Sequence, residues 1–489
     1  MSEGNLATSY RKSAIDTIFV GAATLVQFLF GLFIMPLISK TMGAQGYGIW
    51  SQATATVSLI LSVTNLGLGT ALVRFLASEK SREEIREGFY SVIITLFAVN
   101  LIAALLVFVF AGPLADNFFN GAVLVVRLTG AMVILVTLVE NCLLLIRTFQ
   151  QVKMLSAFMA AETALFTALV AFFVFRGYGI TWVVLAYISV KTLEFIVLFF
   201  LIRSKIGLKW PRFSRLREFL SFGLPLAPRG LAYWLININD RYIISYVLGA
   251  TSLGIYAAGY NLGNIPYSVT TILSFVLMAT LPQLYDQGRI DEVKTHLRFN
   301  LKYFLAIAIP FLFGAAVLGE SVLRLFSTQE IAAGGHFVTP LVALAVTLLG
   351  VHNIMWNILL LVKKTRVLVI IWGIAAALNV GLNLLLVPSV GIIGAPVSAL
   401  VAYALALGAV SYYARKELTF PIDWSFILKS IAASLVMSAA VWPLRSTSLL
   451  GTFFTVLAGV AVYGVVLVLL RGFSRSEFKF FWGLLKRTT

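Results

Sequence analysis

Residues 38–50, ISKTMGAQGYGIW, and residues 244–256, ISYVLGATSLGIY, share one pattern: Ile-Ser, three variable positions, Gly-Ala, three more, then Gly-Ile and an aromatic ring, at an offset of 206. A second pair, NCLLLIR at 141–147 and NILLLVK at 357–363, follows in the same order at an offset of 216. Two collinear matches argue for a duplicated unit. Of the 489 residues 60% are hydrophobic and 12% charged, against about 25% charged in a soluble domain. Such a chain must use lipid as part of its solvent.

A bilayer core needs about 20 apolar residues per helix. Windows of that length predict spans near 14–38, 47–73, 88–110, 121–146, 154–176, 180–202, 219–247, 252–283, 303–318, 337–362, 367–387, 391–413, 426–444 and 450–470. Only Lys40, Arg176, Arg324 and Arg445 of the 37 basic residues fall in the odd-numbered connections, whereas the tails and even-numbered connections hold most of the rest. Short basic loops resist translocation, so both termini are expected in the cytoplasm and the span number should be even. The net charge of +17 therefore does not point to nucleic acid, because it sits between apolar segments. Residues 203–217, RSKIGLKWPRFSRLR, carry six basic residues and no acidic one. They read as a topology anchor on anionic headgroups, with an anionic partner as the rival reading.

These observations predict an all-α integral membrane protein of about fourteen transmembrane helices. An N-lobe, helices 1–6, would occupy residues 1–208; a C-lobe, helices 7–12, residues 209–420; helices 13–14 and a cytoplasmic tail, residues 421–489. Both repeats would start from the cytoplasm, so two parallel six-helix lobes related by an axis along the membrane normal should face a central cavity able to open to either side. The apolar stretch after MSEGNLATSYRKSA is too long for a signal peptide. A single cysteine, Cys142, excludes an intrachain disulfide, and His296, His336 and His352 lack metal-ligand spacing. No GxxxxGK[ST] loop is present to bind ATP.

Charges inside spans cost about 2.5–3.5 kcal/mol each at mid-membrane on insertion scales, so those that persist should face a wet interior. In the seventh span Arg229, Tyr233, Asn237 and Arg241 recur every four residues, with Asp240 three after Asn237. A helix gathers them on one flank as candidate substrate contacts; a mere helix end at Asp240 and Arg241 is the plainer alternative. Pro225 and Pro228 loosen the turns before them. Tyr256, Tyr260, Asn264 and Tyr267 form a comparable stripe, suited to stacking on and hydrogen-bonding sugars, or to helix packing. Lys191 and Glu194, three apart near the centre of the sixth span, read as an ion pair or a proton-linked gate. Glu162, Glu140 and Arg127 are further isolated charges whose partners the sequence does not assign. Arg74 closes the second span, and Asn379 and Asn383 share a face of the eleventh.

The chain resembles the polysaccharide and O-antigen (Wzx-like) flippase branch of the multidrug/oligosaccharidyl-lipid/polysaccharide exporter superfamily. The resemblance is carried by PLISKTMGAQGYGIW after the first span, GTALVRFLA ending the second, FGLPLAP at 222–228, NxxDRYII at 237–244, GATSLGIY directly after, and NxxxNLLLVPSVGIIGAP at 379–396. It implies a MATE-like fold that moves glycans linked to polyprenyl phosphate or pyrophosphate from the inner to the outer leaflet of the cell (inner) membrane. It also implies that Arg74, Arg229 and Arg241 face the phosphates. In the related lipid II flippases a seventh-helix acid and eleventh-helix side chains hold sodium. Asp240, Asn379 and Asn383 look like those positions, with Ser398 as a fourth, although Asn383 stands where an acid can occur. The resemblance implies coupling to sodium or protons and no other cofactor. The expected partners are the polyprenyl-linked glycan and the bilayer, with a glycan polymerase or glycosyltransferases as neighbours.

A multidrug exporter of the same superfamily is the first rival; it usually has twelve spans and prefers cations. A lipid II flippase is the second. A membrane glycosyltransferase would need a catalytic acid on a sizeable outer loop, and every outer loop here is short, so a transporter rather than an enzyme is expected.

Overall fold

The computed structural model describes residues 3–76, 79, 81–149 and 151–473, with side chains from Phe33 onward except those of Arg229, 271–276, 278 and 279. Every regular element among the described residues is a helix. Among the described residues, ten helices are long and apolar enough to cross a membrane, or eleven if Phe33–Thr64 and Leu68–Leu76, bent by 59°, form one span. The all-α, multi-pass class therefore holds, while the expected number of fourteen is not reached by this count. Two glycines explain part of the difference. Gly43 (φ 68°) lies inside the run Glu3–Thr64 and Gly249 (φ 83°) inside Asn239–Gly263, so neighbouring spans merge across a kink. The 53-residue stretch Thr365–Glu417 likewise counts once although a turn at Gly391–Ile393 divides it. Straight, it would reach about 80 Å at 1.5 Å per residue, far beyond a hydrocarbon core of about 30 Å.

Those kinks sit at equivalent places in the two copies of the repeated segment. Only glycine adopts such backbone angles without strain. Beyond each kink the small residues meet. A methyl group on Gly48 would lie 1.8 Å from the Ala250 carbonyl oxygen, and one on Gly254 would lie 1.9 Å from that of Ala44. The contact is reciprocal, which makes the local relation between the two copies twofold. Small residues four apart allow this backbone approach, as in membrane helix pairs generally.

Packing divides the chain into units Met1–Gly254 and Ile255–Thr489. In the first, Leu72, Phe89, Leu96, Val139, Leu145 and Leu198 form one core, and Ala53, Val126, Val133 and Val184 contribute to another. In the second, Leu297, Phe304, Ile358, Leu368 and Val410 pack together. The Arg82–Val109 helix buries Leu96, Asn100 and Ala104 yet leaves Ile102, Leu105, Leu106 and Phe108 more than half exposed. An apolar face of that size requires lipid against it.

Within each unit the basic connections gather at one end. In the first, Arg82 donates to the Ser204 carbonyl, Tyr90 to that of Gly207, and Lys205 to Gln151. In the second, Lys364 pairs with Glu417 at 2.6 Å, while Arg298 and Lys302 approach Asp423 at 3.7 Å. The basic 203–217 segment is also met by acids, most of them from elsewhere in the chain. Arg215 meets Glu79, Glu84 and Glu218 at 3.1–3.4 Å, and the backbone N–H of Arg212 donates to both Glu87 oxygens at 2.9 Å.

Burial pushes the Glu87 carboxyl up, but the N–H groups of Arg212 and Ser214 and the hydroxyls of Ser91 and Ser214 more than offset this, so it lies below the usual carboxylate range. A depressed folded-state value means that this clasp stabilises above the unfolded pKa, about 4.3, and is lost as pH falls through the folded one. Glu87→Gln, which mimics protonation at neutral pH, should speed tryptic cleavage after Arg212, Arg215 or Arg217 several-fold in the purified protein. Unchanged cleavage would show that Glu87 does not order the segment.

Candidate functional site

The single helix expected to carry Arg229, Tyr233, Asn237, Asp240 and Arg241 is broken. A 3-10 turn, Leu224–Leu226, leads into Ala227–Asn237; the chain then leaves helical geometry at Ile238 (φ −135°) and restarts as Asn239–Gly263. Local competition for backbone groups accounts for this. The Asn237 amide donates to the Tyr233 carbonyl at 2.9 Å and that of Asn239 to the Leu235 carbonyl, while Asp240 Oδ1 accepts the Arg241 N–H at 2.8 Å. The carboxylate thus sits in the first turn of the new helix, where the helix dipole favours it. The one continuous stripe is corrected to two short groups: Tyr233 with Asn237, and Asp240 with Arg241.

Asp240 is buried, Asn237 and Arg241 are half-buried, and Tyr233 is exposed. The side chain of Arg229 lies outside the described residues. Arg74 is exposed in the last turn of Leu68–Leu76. Trp234 Nε1 donates to the Ala55 carbonyl at 3.3 Å and the Tyr242 hydroxyl to Thr56 Oγ1 at 2.7 Å, which fixes the broken helix against Phe33–Thr64.

A second polar group lies deeper in the same unit. Lys191 Nζ is 3.0 Å from Glu194 Oε2 on its own helix and 2.6 Å from Glu162 Oε1 on Val152–Phe175. Lys191 and Glu194 are buried. The ammonium also lies 5.8 Å from the centre of the Tyr187 ring, and Trp50 packs on both Tyr187 and Phe166. Glu140 interacts electrostatically with Lys191 and Glu162. Spacing along one helix points to Glu194; Glu162 and Glu140 come from other helices, and no sequence signal joins them.

In the second unit Asn379 and Asn383 are buried and share a hydrogen bond, Nδ2 of Asn383 to Oδ1 of Asn379, at 3.2 Å. Ser398, also buried, donates to the Gly394 carbonyl at 2.8 Å. Tyr260 packs on Tyr256 with ring centres 5.8 Å apart. Asn264 occupies the break between Asn239–Gly263 and Ile265–Asp286, where its N–H donates to the Tyr260 carbonyl at 2.8 Å. Among the described residues, no three or more His, Cys, Asp or Glu side chains converge to hold a metal ion.

Residues 13–285 match the family model described as polysaccharide biosynthesis protein, and 225–385 match the MatE model. The "Probable low-salt glycan biosynthesis flippase Agl15" of Haloferax volcanii is 21% identical over 282 residues, 56% of this chain and 60% of that protein. The "Succinoglycan biosynthesis transport protein ExoT" of Rhizobium meliloti is 26% identical over 310 residues, 60% of this chain and 58% of the relative. The chain thus spans no more than 60% of the length of these curated relatives. A solved structure, "Lipid II flippase MurJ, inward closed conformation", superposes with a TM-score of 0.78 over 93% of this chain and 98% of that one, at 18% identity. That likeness shows the fold. With more than half of its 489 residues inside the first match, the chain belongs to the polysaccharide biosynthesis protein family, in the multidrug/oligosaccharidyl-lipid/polysaccharide exporter superfamily.

Proposed function

We propose that this protein flips polyprenyl-(pyro)phosphate-linked oligosaccharide from the inner to the outer leaflet by alternating access, without covalent chemistry. The observation that carries the reading is the family match over 13–285, together with relatives named as glycan flippase and glycan transport protein. Those names favour a glycan over the cationic drugs of a multidrug exporter. Sugars and phosphates left unpaired in hydrocarbon would cost several kcal/mol per group, and polar side chains on a protein path remove most of that barrier.

In this reading Arg74, Arg229 and Arg241 bind the phosphates through the guanidinium fork, and Tyr233, Asn237, Tyr260 and Asn264 contact sugar. Asp240, Asn379, Asn383 and Ser398 offer oxygen donors, which suit a hard cation such as sodium. Fourteen crossings, with an N-lobe, a C-lobe and two further helices over the ranges given above, belong to the same proposal. So do cytoplasmic termini in a cell (inner) membrane and neighbouring glycosyltransferases or a polymerase as partners. The basic end of each unit supports that orientation.

The test is complementation in a strain lacking its own lipid-linked glycan carrier. Expression of this chain should restore surface glycan, and an impermeant maleimide applied outside those cells should miss a cysteine placed at Ser214. Continued intracellular accumulation of the lipid-linked glycan, or external labelling at Ser214, would overturn the proposal.

A further inference from the structure

Glu140, Glu162, Lys191 and Glu194 place three carboxyl groups and one ammonium group along three apolar helices, Val123–Thr148, Val152–Phe175 and Ile180–Ile206, with Lys191 and Glu194 buried between them. Glu162 and Lys191 lie about 15 Å and 16 Å from the starts of their helices at 1.5 Å per residue, near the middle of a core about 30 Å thick. One ammonium balances one carboxylate. With all three acids ionised the group would carry two uncompensated negative charges within the bilayer, at several kcal/mol each.

A second observation shows where that charge is least tolerable. Glu194 is 6% exposed, and while its Oε2 takes Lys191, its Oε1 is buried and accepts no hydrogen bond. A carboxylate oxygen in that position is relieved most simply by a proton. A metal cation fits less well, because the Lys191 ammonium already occupies the place between Glu162 and Glu194 where such an ion would bridge. Among the described residues no three or more His, Cys, Asp or Glu side chains could hold one.

Among the described residues, Tyr187 lies beside Lys191, and Cys142, on the Val123–Thr148 helix, interacts electrostatically with Glu194 and with Tyr90 of Arg82–Val109. The Phe33–Thr64 helix meets the group through Trp50, which packs on Phe166 and Tyr187. Glu140 is the exposed member of the group.

We propose that this cluster is a proton site in which buried Glu194, served by exposed Glu140, takes up and releases a proton during the transport cycle. The inference rests on the transporter reading for its role in the cycle, but the proton itself is measurable without any glycan. Infrared difference spectra of the full chain in lipid nanodiscs, titrated through neutral pH, should show the carbonyl band of a buried protonated carboxylic acid, shifted in heavy water. Glu194→Gln, which leaves the Lys191–Glu162 pair in place, should remove that band. Glu140→Gln should slow its exchange, and Glu320→Gln, in the other unit and paired there with Arg324, should leave it intact.

In proteoliposomes a pH gradient should accelerate wild-type glycan transport several-fold and leave Glu194→Gln unaffected. Absence of the band, or its persistence in Glu194→Gln, overturns the proton site. Wild-type transport indifferent to the gradient overturns its role in coupling while the transporter reading stands. A band lost in Glu194→Gln in a protein that moves no glycan supports the proton site and rejects the substrate instead.

Discussion

Gly48→Leu and Gly254→Leu should each leave little properly folded protein in the membrane, and Gly48→Ala alone should lower the melting temperature of the purified chain. The cause is the reciprocal crossing of the two repeated segments, where an added methyl would fall 1.8 Å from the Ala250 carbonyl oxygen or 1.9 Å from that of Ala44. Neither neighbour is a side-chain tip that can turn aside; both are backbone, so the helices must separate. Overpacking of this kind costs about 1–3 kcal/mol and sometimes more. Gly373 provides the control. It lies in the Thr365–Val390 helix with nothing within 4 Å of an added methyl. There alanine should be neutral or slightly stabilising, because glycine inside a helix is worse than alanine by about 1 kcal/mol. Equal melting temperatures for Gly48→Ala and Gly373→Ala would show that the crossing does not hold the fold together.

Arg241→Ala should abolish surface-glycan display while membrane insertion and abundance stay near normal. Arg241 is half-buried beside Asp240, whose Oδ1 is occupied by the Arg241 backbone N–H. The acid therefore tempers the local field while the guanidinium keeps positive potential for a phosphate. Arg241→Lys should recover only part of the activity, since lysine keeps the charge but loses the paired donors. Asp240→Asn should weaken cation dependence more than substrate binding. Full display from normally expressed Arg241→Ala would remove this residue from the binding site.

Much of the architecture was legible because membrane helices announce themselves by length, and because duplication leaves glycines in register. The kinks at Gly43 and Gly249 and the close approach of Gly48 and Gly254 fall on the repeated positions that first suggested two copies. What the sequence concealed was tertiary or locally competitive. The four-residue spacing around Asn237 reads as a continuous helix, but Asn237, Asn239 and Asp240 each bind nearby backbone groups and interrupt it at Ile238. Lys191 could be paired with Glu194 from spacing alone; Glu162 arrives from a helix about thirty residues earlier in the chain and only packing reveals it. The 203–217 segment reads as uniformly basic because Glu79, Glu84 and Glu87, which meet Arg215 and the Arg212 backbone, lie more than a hundred residues away.

A flippase of lipid-linked glycan must move its substrate across a bilayer with no other protein present. The most direct measurement is reconstitution of the purified protein into liposomes loaded symmetrically with a fluorescent polyprenyl-diphosphate oligosaccharide, followed by removal of the outer-leaflet sugar with an impermeant glycosidase. If the account is right, nearly all of the glycan becomes accessible over time in wild-type vesicles, and only the outer half does so in empty vesicles or with Arg241→Ala. If wild-type vesicles, shown to contain folded protein, also stop at the outer half, the protein is not a flippase for this class of substrate.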